Sequence, residues 1–278
     1  MRELREETAM YAYNARFLFR YMSGVNRAKN GKRWRDHHTV CLVKAFGKPR
    51  PRHEIKHIAY YTPGCNVLVS KTTKAIIDKY LSEKSPPESR NNGKIYVVSD
   101  LHLEHDNIIS YCQRPFNDSV EMNKALINGW NDVLNDEDKI FFLGDFAPFK
   151  KIPRITTWMK QLSGNIVTIQ GSHDPDGFGI ERYILDYGGF SFLLVHAPVS
   201  SPKHETAVIP HDWTGWVIHG HTHNNDMINY PFINGLKKTI NVSVELTGYR
   251  PVSLDFLISL GLDNIRRMDT VDSVPDRF

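Results

Sequence analysis

Beyond residue 94, short apolar runs alternate with segments whose apolar positions repeat at helical spacing. Residues 95–99, 140–143 and 166–169 read as buried strands. Between them, 120–134 and 154–162 read as helices. The first opens on Asp118-x-x-Glu121, which resembles a capping box, and puts Ala125, Leu126, Trp130 and Val133 on its core face. This βαβα order predicts a layered α/β domain with a largely parallel core. After residue 169 the helical spacing stops. Runs at 192–195, 216–218, 240–246 and 251–257 read as further strands, so a second sheet is expected to pack against the first.

The N-terminal pattern differs. Tyr13, Phe17 and Tyr21 recur every four residues, with Met10 and Leu18 widening the apolar side, and predict a helix that ends near Gly24. Strands are expected at 39–46, 55–62 and 66–69, and a helix at 73–82. Residues 1–84 thus read as a small α+β domain of order α-β-β-β-α. The polar, Pro- and Gly-punctuated stretch 85–93 suits a linker, and 94–278 form the second domain.

Charge sharpens that division. Residues 1–94 carry 20 Lys and Arg against 8 Asp and Glu, +12, whereas 95–278 carry 15 against 23, −8; together they give the net +4 of the chain. Cys41, Cys65 and Cys112 are odd in number and unpatterned, which fits reduced thiols better than a disulfide framework or a zinc ribbon. No apolar run reaches the ~18 to 20 residues of a membrane span, and the first residues are charged where a signal peptide has its apolar core. A cytoplasmic protein is therefore expected, in the host cytoplasm if the source is viral.

The metal-capable side chains fall just after expected strands. Asp100 and His102 follow 95–99, Asp145 follows 140–143, and His173 follows 166–169; His196 follows 192–195, and His221 and His223 follow 216–218. In open α/β sheets ligands bind beyond the C-terminal ends of the strands, so these residues should converge on one crevice. Positions i and i+2 of an extended segment face the same way, roughly 6 to 7 Å apart. Asp100 and His102 can therefore grip one ion, while His221 and His223 can each reach a different ion of a pair about 3.5 to 4 Å apart. Asp145, preceded by Gly144, suits a bridging position. Mixed carboxylate and imidazole donors favour Mn, Fe, Zn or Ni over Ca.

The strings Asp100-Leu-His102, Gly144-Asp145, Gly171-Ser-His-Asp174, His196 and Gly220-His-Thr-His223 stand in the order found in the calcineurin-like metallophosphoesterase superfamily, which residues 94–258 resemble. The segment 100–116, ending Arg114-Pro-Phe, and the tail 241–255 look like a small prokaryotic and phage branch of it. The resemblance implies a two-sheet β-sandwich flanked by helices and a metal-dependent phosphoric ester hydrolase with two divalent ions. It implies Asp100, His102, Asp145 and His223 on the first ion, and Asp145, residue 172, His196 and His221 on the second. His173 would protonate the leaving alkoxide or steady the phosphate, with Asp174 orienting its imidazole. At position 172 the family pattern has asparagine and this chain has Ser172, whose hydroxyl is the weaker donor to a cation, so the second ion should bind less tightly and activity be reduced. Arg114 either faces the phosphate or pairs with a helix acid.

A phosphodiesterase on a nucleotide or nucleic acid is the function this reading favours. A phosphomonoesterase or protein phosphatase, and a phosphate-binding protein with a degenerate metal site, are the alternatives. Residues 27–56 hold ten Lys and Arg against two acids, with Trp34 among them, a density that suits a phosphate-backbone footprint. The α-β-β-β-α order also resembles double-stranded RNA-binding domains; a companion or oligomerisation domain is the other reading. Tyr60 and Tyr61 read as packing residues, and His105, His204, His211 and His219 as ordinary histidines rather than ligands.

Overall fold

The computed structural model describes residues 2–27, 30–62, 65–83, 93–148, 152–198 and 209–278. The chain divides into two compact units, Met1–Ala45 with Pro49–Asn92, and Phe46–Lys48 with Gly93–Phe278. The expected linker falls, except for Gly93, outside the described residues, as does His204.

The first unit opens with a short helix, α1 (Arg2–Thr8), followed by a long strand, β1 (Tyr11–Met22). The aromatic helix expected at 13–21 is therefore a strand. A four-residue recurrence is close to one helical turn, but it is also a multiple of two, so Tyr13, Phe17 and Tyr21 share a strand face equally well. Their ring side chains favour the pleated conformation. β1 pairs with β4 (His37–Phe46), and between them β2 (Asn26–Arg27) and β3 (Arg33–Trp34) form a small antiparallel ribbon. The strands expected at 55–62 and 66–69 are not formed among the described residues of those runs. Tyr60 and Leu68 there are 76% and 98% exposed, so no burial rewards a ladder, and Tyr60 is not the packing residue expected. The unit closes with the expected C-terminal helix, α2 (Lys71–Glu83), which lays Lys79 Nζ 4.9 Å over the Phe19 ring of β1.

The second unit is an α/β sandwich. β5 (Ile95–Val98) leads through α3 (Asp106–Tyr111) and α4 (Ser119–Asn131) to β6 (Lys139–Phe142), and β6 leads through α5 (Ile152–Met159) to β7 (Asn165–Thr168). β5, β6 and β7 are parallel, in register from Ile95↔Lys139 and Lys139↔Asn165. The second sheet comprises β8 (Tyr183–Tyr187), β9 (Phe190–Leu194), β10 (Trp216–His219), β11 (Ile233–Asn234) and β12 (Thr239–Asn241), with two strands from the end of the chain. β13 (Val252–Ser253) returns antiparallel to the edge of β5 and runs into α6 (Leu254–Ser259). The run expected to be one strand at 251–257 turns helical there because the Ser253 hydroxyl caps the new helix, accepting from Phe256 N at 3.1 Å. β14 (Ile265–Met268) and β15 (Asp276–Arg277) complete the second sheet, whose order is β15-β14-β11-β12-β10-β9-β8 beside β13-β5-β6-β7.

One apolar layer joins the sheets. Val97, Phe141 and Ile169 of the first pack with Phe192, Leu194, Ile218 and Ile240 of the second, all fully buried. On the outer side of the first sheet, α4 buries Met122, Leu126 and Trp130, the last with its ring 6.4 Å from Phe142. Asp118 caps α4 by accepting from Glu121 N at 2.8 Å, and Glu121 reaches back to Asn117 N at 2.9 Å. No helix among the described residues is long and apolar enough to cross a membrane.

Candidate metal centre

Five strands, β5, β6, β7, β9 and β10, end at the same edge of the sandwich, and the chain leaves most of them by a sharp turn. Asp100, His102, Asp145, His221 and His223 all have left-handed backbones, with φ of 62°, 50°, 58°, 68° and 48°. For residues with a Cβ this conformation costs on the order of 1–3 kcal/mol each, and it persists where the surroundings over-determine it. Here the turns aim each side chain inward beyond its strand. They are tied across strands by Asp100 N to Gly144 O (3.0 Å) and His102 N to Asp145 O (3.1 Å).

Two glycines of the motifs have steric reasons. Gly144 has φ +94°, and a Cβ there would lie 2.6 Å from Gly171 Cα. A Cβ on Gly220 would fall 2.1 Å from Asp100 Oδ2, so only glycine lets the β10 turn approach that carboxylate.

The side chains gather into two adjoining groups, Asp100, His102 and His223, and Asp145, His196 and His221; within each, the donor atoms lie within 4.8 Å of one another. Asp145 stands between them. Its Oδ2 is 3.6 Å from His102 Nε2 and 3.4 Å from His196 Nε2, while His223 Nε2 lies 3.7 Å from Asp100 Oδ1 and His221 Nδ1 lies 3.2 Å from His196 Nε2. The donor set fits a cation. His102 Nε2 is buried with no hydrogen-bond partner, an expensive condition for an imidazole nitrogen unless something else takes its lone pair. Burial holds His102 well below the ordinary histidine range, so it is a neutral donor.

The electrostatics point the same way. Burial pulls His196 down, but Asp145 outweighs it and pushes the imidazole up to about 9; His223, also buried, is pushed up to about 11 by Asp100, Cys112 and Glu245. Burial raises Asp145, yet His196 and His102 hold it well below the carboxylate range. Buried carboxylates thus draw protons onto the neighbouring imidazoles, at the positions where a divalent cation would supply the positive charge.

A second layer fixes these groups. His196 Nδ1 pairs with Leu143 O at 2.8 Å, leaving Nε2 to face the centre. His223 Nδ1 pairs with Glu245 Oε1 at 3.0 Å, and Ser243 Oγ donates to Asp100 Oδ2 at 2.9 Å. Glu245 was not foreseen. Its only sequence signal is an acid inside the apolar string Val242-Ser-Val-Glu-Leu246.

Arg114 is turned inward, and the acid it pairs with is not in a helix. Its side chain is fully buried, donating to Glu245 Oε1 from Nε and Nη2 (2.9 and 2.7 Å) and to the Asp100 and Leu101 carbonyls (2.8 and 2.9 Å). Asp174 does not orient His173 either. Its carboxylate accepts from the backbone of Asp145, Phe146 and Gly171 at 2.9, 2.8 and 3.0 Å, which leaves it to hold the two ligand loops together. Burial, then the charge of Asp145, pushes its carboxyl up to about 7.

His173 stands at the mouth, its side chain 56% exposed and its Nε2 3.9 Å from Asp145 Oδ2. Ser172 sits beside it, its hydroxyl 3.2 Å from Asp145 Oδ2. His105, set aside from sequence, lies against the centre with Nδ1 3.4 Å from His102 Nδ1. His219 is a fully buried histidine that burial pushes down to about 4, and His211 is exposed.

Comparison with known proteins bears on the same region. The chain is 46% identical over 168 residues to an uncharacterised protein of Methanocaldococcus jannaschii, covering 60% of this chain and 90% of that one. Among solved structures, a protein of unknown function from Aquifex aeolicus matches 61% of this chain and 100% of its own at 22% identity, with a TM-score of 0.44. Vps29 of Entamoeba histolytica, complexed with zinc, matches 53% of this chain and 72% of its own at 16% identity, with a TM-score of 0.29. The model of the calcineurin-like phosphoesterase superfamily domain matches residues 94–241, more than half of the sequence, and with that match the chain belongs to the calcineurin-like phosphoesterase superfamily.

Proposed function

We propose that the chain is a dinuclear-metal phosphodiesterase acting on a nucleotide or nucleic-acid substrate. The observation that carries the reading is Asp145, whose Oδ2 has the Nε2 atoms of His102 and His196 at 3.6 and 3.4 Å, with a donor group gathered on each side. In this reading Asp100, His102, Asp145 and His223 would hold one divalent ion, and Asp145, Ser172, His196 and His221 would hold the other. Two such ions, of Mn, Fe, Zn or Ni, would supply Lewis-acid polarisation of phosphoryl oxygens and a lowered pKa for a bound water.

The chain's own residues supply the rest. Glu245 and the Leu143 carbonyl fix the rings of His223 and His196, so that both present Nε2 inward. Asp174 keeps the Asp145 and Gly171 loops in register. His173, exposed at the mouth, holds the proton that a leaving alkoxide needs, so its loss should slow esters of poor leaving groups more than nitrophenyl esters. Ser172 limits the rate, because a hydroxyl is a weaker donor to a cation than a carboxamide oxygen.

Paired assays on bis- and mono-nitrophenyl phosphate with added manganese test the reading. Faster metal-dependent turnover of the diester is expected, with a gain in the Ser172→Asn chain. Faster turnover of the monoester would move the assignment to a phosphomonoesterase. Ser172 also favours a second reading, a phosphate-binding protein without turnover, and this stands if both chains are inert while metal still binds.

A further inference from the structure

We propose that the β2–β3 ribbon of the N-terminal unit is a binding element for single-stranded nucleic acid, with arginines for the phosphate backbone and Trp34 as a stacking surface for a base. The inference concerns binding alone and does not depend on the catalytic reading.

The ribbon continues the β1–β4 pair. Ser23 and Asp36 exchange bonds at its base, Ser23 N to Asp36 O and Asp36 N to Ser23 Oγ, both 2.9 Å, and the paired register then runs Asn26↔Trp34 and Arg27↔Arg33. Arg27 and Arg33 are thus directly opposite on one face of an exposed two-stranded ribbon. Side chains so placed have Cβ atoms about 4.5 to 5.5 Å apart, and like charges there destabilise the pair. Nothing local relieves the repulsion. Between Ala9 and His53 the sequence has eleven Lys and Arg and one acid, Asp36. That acid is turned to the neutral Asn26, accepting from its amide at 2.8 Å. Among the described residues no carboxylate pairs with Arg27, Lys32 or Arg33, and all three are exposed.

A ribbon that sets two unpaired guanidiniums against each other is completed by an anion carrying more than one charge at short spacing, and successive phosphodiesters have that chemistry. The opposite face selects the form of the polyanion. Trp34, on that face with Asn26, is 42% exposed, and Lys32 and Arg35 flank it closely in sequence. An aromatic ring beside cations is rewarded by the open face of an unpaired base, which a duplex hides.

The test is fluorescence anisotropy of the full chain with a labelled oligouridylate of about 20 nucleotides and with a duplex of about the same length. EDTA is present so that no hydrolysis intervenes, and salt is varied between ~50 and ~200 mM. The single strand should bind more tightly than the duplex, with log affinity falling linearly in log salt. Arg27→Ala with Arg33→Ala should flatten that slope by about 1.4, two single-strand phosphate contacts, whereas Arg27→Lys with Arg33→Lys should keep it. Trp34→Ala should lose roughly tenfold in affinity, the size of one base stack, at unchanged slope. An unchanged slope in the double alanine chain, an equal loss in the double lysine chain, or duplex binding as tight as single-strand binding with Trp34→Ala silent would each overturn the proposal. Turnover of bis-nitrophenyl phosphate by the same variants with metal restored should match the parent, so failure of the ribbon and failure of the catalytic reading are read separately.

Discussion

Position 172 is where a one-residue change should have the largest favourable effect. The Ser172 hydroxyl spends itself on Asp145, and an asparagine would offer a carboxamide oxygen to the second ion of the proposed pair. Ser172→Asn should raise manganese affinity at that site on the order of 10-fold or more, read as the metal concentration for half-maximal turnover. Unchanged or weaker dependence would remove Ser172 as the limiting donor. Glu245→Gln probes the layer behind His223: with the carboxylate charge gone and the buried Arg114 unpaired, metal affinity should fall about 10- to 100-fold. Normal metal binding by this variant would reduce Glu245 to packing. At this scale the candidate donors were legible because i, i+2 spacing and position after a strand are properties of the string itself. The directions of Arg114 and Asp174 were not, since a charged residue near a site is named by sequence while its partner, Glu245 or the amides of Asp145 and Phe146, comes from another part of the chain.

Elements of the second unit follow their apolar pattern closely where burial is two-sided, as in β5 and β6. They depart from it where a local bond decides, as at Ser253, whose cap turns an apolar run helical. β1 shows the other limit: a recurrence of four fits two periods, and only a pairing partner distinguishes them. The turns at the strand ends carry the most specific expectation. Gly220→Ala would drive a Cβ to 2.1 Å from Asp100 Oδ2, so the β10 turn must shift away from the first donor group. Metal binding should be lost in calorimetric titration while the unit stays folded, and full affinity would mean that the turn tolerates a side chain. Asp118→Ala, which removes the α4 cap, should instead cost about 1 kcal/mol in denaturant unfolding and leave metal affinity alone.

At the scale of the whole molecule, residues 1–94 carry +12 and residues 95–278 carry −8, a split visible in composition alone. The buried centre also gives the chain a pH signature. In the metal-free chain His196 and His223 are raised to about 9 and about 11, so the stability they contribute is full below about 6.5 and is lost as pH rises through those values. For His196 the loss is about 3 kcal/mol at most. The chelated chain should therefore melt at a lower temperature at pH 10 than at pH 7, and manganese should abolish the difference. A chelated melting temperature that is flat or rises over that range would contradict the electrostatics described.

The central claim is that two ions share Asp145, and the most direct measurement is metal content per chain after equilibration with manganese and removal of free ion. The account predicts close to two ions in the parent and a loss of both, or of all but one weakly held, in Asp145→Asn, with bis-nitrophenyl phosphate turnover lost in parallel. Two ions retained by Asp145→Asn, or none bound by the parent, would contradict it.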